Sequence, residues 1–140
     1  MDAIDYLFSL ETLGIKFGLD SIRAILEALG QPQRAYRRVI VAGTNGKGSV
    51  TVMADTALRA AGHRTARYTS PHLRRLEERF AIDGREVETA ALRESAEAVR
   101  GAVADLIRTG RLAGQPTFFE ATTAAAFELF RRAGVEVAVV

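Results

Sequence analysis

The sequence predicts an α/β domain in which a mostly parallel sheet is flanked by helices. Three observations carry that expectation. An apolar, β-branched run at Arg38–Ala42 leads into a glycine-rich turn and then a helical pattern, which is the order of a strand–loop–helix unit. A second strand pattern follows at 64–69, and the chain closes on a third at Val135–Val140. Helical periodicity fills the intervals, so the strands are joined by crossovers rather than by hairpins alone.

The elements read in order as follows. Residues 2–10 place Ile4, Leu7, Phe8 and Leu10 on one helical face. A second helix opens near Asp20 as N-cap, carries Ile22, Ile25, Leu26 and Leu29 at i, i+3, i+4, i+7, and stops at Gly30. Between the two lies a glycine-punctuated and unusually apolar loop, Leu13–Gly18. After Gln31-Pro32-Gln33, the run at 38–42 has the composition of a central parallel strand covered on both faces. The next helix shows Val50, Met53, Ala54, Ala57, Leu58 and Ala61, with Gly62 at its C-terminal boundary. Residues 79–87 read as a hairpin turning at Asp83-Gly84. A long helix over about 89–109 buries Leu92, Ala96, Val99, Val103, Leu106 and Ile107, and a last helix carries Phe119, Thr123, Ala126, Phe127 and Phe130 up to Gly134.

Composition bounds the chemistry. The chain has 140 residues and a net charge of +2, with 17 arginines but only two lysines, Lys16 and Lys47. The arginines are scattered and no block of five or six like charges occurs, which argues against a nucleic-acid partner. With no cysteine, disulfides, thiolate metal sites and thiol nucleophiles are excluded, and a reducing cytoplasm is the expected setting. No apolar run approaches the length of a membrane span.

The stretch with the sharpest chemical meaning is Gly43-Thr44-Asn45-Gly46-Lys47-Gly48-Ser49. Glycines let backbone N–H groups converge on phosphate oxygens, and the following helix offers its N-terminal donors. Lysine adds a compact charge in a chain otherwise built on arginine. The pattern departs from the commonest phosphate-loop consensus: Val41 stands where a glycine is usual, and Gly48 intervenes between Lys47 and Ser49.

This loop resembles that of the Mur ligase superfamily, and its Lys-Gly-Ser ending narrows the likeness to folylpolyglutamate and dihydrofolate synthases. Tyr68-Thr69-Ser70-Pro71-His72-Leu73, the segment Glu78–Gly84, and Thr117-Phe118-Phe119-Glu120 are similar to that family in order and spacing. The resemblance implies an ATP-dependent amide ligase. ATP would phosphorylate a carboxylate of dihydropteroate or of a folate tail, and L-glutamate would attack the acyl phosphate. It further implies that Gly43, Thr44, Asn45, Gly46, Lys47, Gly48 and Ser49 cradle ATP. Ser70 would bind Mg²⁺, and Gly14, Ile15, Lys16, Phe17, Thr117, Phe118, Phe119 and Glu120 would line the pterin pocket.

On the same resemblance, 1–140 is a partial ATP-binding domain with a helical lead-in over 1–36, and a C-terminal glutamate ligase domain is absent. The isolated segment is therefore expected not to turn over by itself. Two other readings stay open: a nucleotide-binding module without turnover, and another Mur-type ligase of cell-wall synthesis. Because the sequence stops on an apolar strand, that strand is expected to lack its outer neighbour, to leave the chain a fragment, and to drive self-association.

Overall fold

A computed structural model describes residues 1–14 and 18–140. The chain divides into two compact units, Met1–Pro32 with Ala90–Leu129, and Gln33–Thr89 with Phe130–Val140. Among the described residues no helix is long and apolar enough to cross a membrane.

The first unit is helical. Helix α1 (Ala3–Ser9) runs into a 3₁₀ turn over Leu10–Leu13, α2 covers Asp20–Ala28, α4 covers Thr89–Arg108, and α5 begins at Phe118 and ends at Arg132. Asp2 caps α1, its carboxylate accepting the Ile4 N–H at 2.8 Å and the Arg93 Nε–H at 2.7 Å. Asp20 is the first residue of α2 rather than its cap, a place that goes to Leu19 without a side-chain bond. Gly30, at φ +83°, ends that helix as expected, and the next N–H, of Gln31, reaches the Leu26 carbonyl at 2.7 Å. The buried face of α4 is Leu92, Ser95, Ala96, Val99, Val103 and Leu106, spaced as the helical period demands, while Ile107 is half-buried at its margin.

The second unit is a five-stranded sheet in the order β1-β5-β2-β3-β4. Its strands are β1 (Arg37–Val39), β2 (Thr65–Tyr68), β3 (Phe80–Ile82), β4 (Arg85–Glu86) and β5 (Val137–Val139), and helix α3 spans Lys47–Ala60. Strand β5 pairs in parallel with both β1 and β2, with Val139 opposite Val39 on one side and Arg67 on the other. The hairpin β3–β4 adds antiparallel to β2. It turns at Asp83-Gly84, both at positive φ. Glycine suits position 84 through its backbone conformation, at φ +78°; the Arg59 guanidinium that lies over it is the movable end of a long side chain.

Three expectations are corrected. The final strand does not lack an outer neighbour: all of Val137, Ala138 and Val139 are buried between two parallel partners, so self-association through an exposed terminal strand loses its basis. Among the described residues β1 lies at one edge of the sheet, with its three residues exposed and Ile40 beyond it 75% exposed, where the composition led one to expect cover on both faces. Its apolar composition reports compatibility with burial but not rank within a sheet. Helix α3 buries Thr51 and Asp55, while Val50 and Met53 are exposed.

Asp55 explains that rotation of α3. Fully buried, it accepts a short hydrogen bond from the Thr65 hydroxyl on β2 and lies 3.5 Å from Arg59 and 3.6 Å from Arg67. Polar pairing, not an apolar stripe, fixes which side of the helix meets the sheet. Asp55→Ala leaves the buried Thr65 hydroxyl without that acceptor and is expected to cost about 1–3 kcal/mol. A urea midpoint unchanged from the parent would contradict this.

Candidate functional site

The phosphate loop begins where the parallel ladder ends. Val140 N–H donates to the Val39 carbonyl at 2.9 Å and Val41 N–H to the Val140 carbonyl at 2.8 Å, which carries the chain out at the carboxyl edge of the sheet. Gly43 (φ +147°) and Gly46 (φ +74°) then bend it back into α3. Gly46 is the N-cap, in the left-handed conformation and without a side-chain hydrogen bond to the helix. The first intrahelical bond is from Val50 N–H to the Gly46 carbonyl at 3.0 Å. The N–H groups of Lys47, Gly48 and Ser49 are therefore the unsatisfied donors of a helix start.

No acidic residue occupies that first turn, and every residue from Gly43 to Ser49 is exposed. Free donors, the positive end of a 14-residue helix and the Lys47 ammonium together suit a polyphosphate. The donor set of this structure fits such a group.

Ser70 leaves the same edge. It follows β2, which is parallel to β1 and two strands away across β5, so the two loops start roughly 10 Å apart. Its hydroxyl belongs to an exposed residue after a strand end, the position at which open α/β sheets present ligand-binding groups. A single exposed hydroxyl fits a Mg²⁺ that keeps waters and takes phosphate oxygens for its other positions. Among the described residues no group of three His, Cys, Asp or Glu side chains is disposed to hold a metal ion.

The loop after Ser70 is organised by Glu78 and Arg79, which open the segment Glu78–Gly84 noted in the sequence, and by His72 of the turn before it. Glu78 accepts backbone N–H groups from Leu73 at 2.7 Å, Arg74 at 3.1 Å and Arg75 at 3.0 Å. Arg79 Nε–H donates to His72 Nδ1 at 2.8 Å, giving that histidine the hydrogen-bonding loop role its position suggests. His63 faces solvent and pairs with Glu136 at 3.2 Å.

A separate pocket of about 270 Å³ lies within the helical unit, lined by Gly14, Gly18, Ile22, Thr117, Phe119, Glu120 and Thr123. Gly14, Thr117, Phe119 and Glu120 are thus brought together as expected; Ile15, Lys16 and Phe17 lie outside the described residues. Phe119 is 60% exposed and offers an aromatic face. Phe118 is corrected: it stacks on Phe8, ring centroids 6.1 Å apart, and is not among the pocket's lining.

Thr117 and Glu120 form a capping box for α5. The Thr117 N–H and hydroxyl donate to Glu120 Oε1 at 3.0 and 3.1 Å, and the Glu120 N–H donates to Thr117 Oγ1 at 3.1 Å. The Thr-x-x-Glu spacing was the available signal. Glu120 Oε2, in contrast, is buried without a hydrogen-bond partner among the described residues.

Hydrogen bonds from the Leu73 and Arg75 backbone N–H groups, the largest influences, hold the Glu78 carboxyl below its usual value of 4.5. A lowered folded-state value means that the loop's stabilisation is present at neutral pH and is lost as pH falls through that value. In an acid titration followed by NMR, the Leu73, Arg74 and Arg75 amide protons are expected to keep their positions until pH is below 4.5. A shift centred at or above 4.5 would contradict the arrangement.

No protein-family model matches the chain. Individual proteins do. A probable bifunctional folylpolyglutamate synthase/dihydropteroate synthase of Haloferax volcanii is 40% identical over 139 residues, covering 99% of this chain and 16% of that protein. The structure of Mycobacterium tuberculosis folylpolyglutamate synthase complexed with ADP superposes with a TM-score of 0.85 at 38% identity, over 99% of this chain and 32% of the other. An FPGS–AMPPCP–folate complex gives 0.86 at 36% identity, over 99% and 33%. The chain thus spans about a third or less of the length of these proteins.

Proposed function

We propose that this chain, a homologue of the folylpolyglutamate and dihydrofolate synthases over nearly its whole length, carries the phosphate-binding part of an ATP-dependent glutamate ligase. The observation that bears most of the weight is the start of α3: a glycine N-cap, no acid in the first turn, three open N–H donors and Lys47. The comparisons support the same reading, since the similar structures carry ADP or AMPPCP, and one carries folate as well.

In the reaction, the γ-phosphoryl group of ATP passes to a substrate carboxylate, giving an acyl phosphate and ADP. The amino group of L-glutamate attacks the acyl carbon, phosphate leaves, and an amide bond remains. Gly43 to Ser49 hold the triphosphate, with the Lys47 ammonium offsetting charge on its terminal phosphates. Ser70 would supply one oxygen ligand to a magnesium ion, which when bound neutralises phosphate charge.

Thr117, Phe119, Glu120 and Gly14 form the pocket for the pterin. Phe119 supplies a face for a flat ring, and the Glu120 carboxylate, at the pocket's lining, accepts from its N–H edge. The ligase domain and the remaining catalytic groups belong to the two thirds of the relatives that this segment does not span, so turnover is proposed for a protein that includes them. The chain is then a partial ATP-binding domain preceded by its helical lead-in. A cytoplasmic setting, expected for a cysteine-free chain that consumes ATP, is part of the same proposal.

Removing a charge-assisted contact to phosphate costs about 1.5–3 kcal/mol, or roughly 10- to 100-fold in affinity. Lys47→Ala is expected to weaken ATP binding by that factor in calorimetry, and unchanged affinity would remove the phosphate assignment. In a protein that includes those remaining parts, Glu120→Gln is expected to raise KM for the pterin substrate while leaving KM for ATP alone. Equal effects on both would contradict the pocket's role.

A further inference from the structure

The loop between β2 and β3 has little core to hold it. Leu73 is 93% exposed, and Arg74 and Arg75 are exposed too. No helix or strand includes the N–H groups of these three residues. The far end of the loop is different: Leu76, Glu77 and Arg79 of the 3₁₀ turn Leu76–Arg79 are buried, and the Arg79 carbonyl takes the Thr69 N–H at 2.9 Å. Glu78 stands on that anchored turn and reaches back to all three loose N–H groups, Oε1 to Leu73 and Oε2 to Arg74 and Arg75.

We propose that Glu78 is a positioning residue for Ser70, fixing through the Leu73–Arg75 backbone the arm from which the Ser70 hydroxyl meets the nucleotide-bound cation. The inference rests on the reading of Ser70 as a magnesium contact. The chemistry of the donor set selects a carboxylate. Three N–H donors converge on one side chain, and only an ionised acid presents two oxygens that both accept; a glutamine would turn its own NH₂ toward a donor. No apolar burial holds Leu73, Arg74 or Arg75, so the arm is shaped by polar contacts: the three bonds to Glu78, with the Arg79–His72 bond and the Arg75–Glu86 pair beside them. A ligand's supporting hydrogen bonds typically carry about 10- to 100-fold in metal affinity.

The test measures ATP affinity on the full chain by calorimetry, once with Mg²⁺ and once with excess chelator, for the parent, Ser70→Ala, Glu78→Gln and the double variant. Amide exchange at residues 73–75 without metal or nucleotide is the second readout. Glu78→Gln is expected to speed exchange at those amides and to weaken binding with Mg²⁺ about 10- to 100-fold, leaving metal-free affinity unchanged. The double variant should bind no more weakly than Ser70→Ala alone.

Unchanged Mg²⁺-dependent affinity in Glu78→Gln, with Ser70→Ala impaired, overturns the positioning role and spares the metal reading. An unimpaired Ser70→Ala overturns the metal reading itself. Equal losses with and without Mg²⁺ signify general unfolding and also overturn the role. Glu78→Asp, which keeps the charge and loses one methylene of reach, should lie between parent and Glu78→Gln.

Discussion

Everything in the proposed nucleotide site depends on β5 lying in parallel between β1 and β2. Parallel pairing on both sides sends all three strands out at one edge, so the loop after β1 and the loop after β2 start two strand spacings apart. Antiparallel pairing of either neighbour would place Lys47 and Ser70 at opposite ends of the sheet. Tight packing along this seam helps to hold the register: Ala66 and Ala138 face each other, and neither has any exposure. The sheet's function is thus geometric. It gathers a lysine, three open amides and a hydroxyl that sequence separates by more than 20 residues.

Two helix starts in the chain show how the same backbone donors are put to different uses. At α5, Thr117 and Glu120 close the end with reciprocal hydrogen bonds, so the carboxylate is half committed to structure. At α3, a glycine stands where such a side chain would be, no acid follows, and the donors face outward. The contrast is chemical rather than conformational. One end is neutralised by its own side chains, and the other is left positive and open to an anion. Burial of Asp55 two turns into α3 keeps the negative charge of that helix away from its start and pairs it with Arg59 and Arg67.

Much of this was legible in the residues. The positive-φ turn at Asp83-Gly84, the apolar face of α4 and the glycines around Lys47 each carry a local signal that one short stretch contains. What stayed hidden depended on partners distant in sequence. The apolar runs at 38–42 and 135–140 look alike, yet among the described residues one pairs on one side only and the other on both, because rank in a sheet is set by pairing. The inward face of α3 was hidden because Thr51 and Asp55 earn burial through Thr65, Arg59 and Arg67 rather than through hydropathy. Phe118 and Phe119 are adjacent on α5 and point in different directions, and which of them borders the pocket awaited Phe8. Glu78 stood in a stretch similar to the family, but what it does there was hidden, since its three partners are backbone amides.

The most direct measurement is an ¹H–¹⁵N NMR titration of the chain with ATP and Mg²⁺. The account predicts that the amide resonances of Lys47, Gly48 and Ser49 move most, with those of Ser70 and Leu73–Arg75 moving when Mg²⁺ is present. Saturable shifts confined to other residues, with Lys47–Ser49 unmoved, would contradict it.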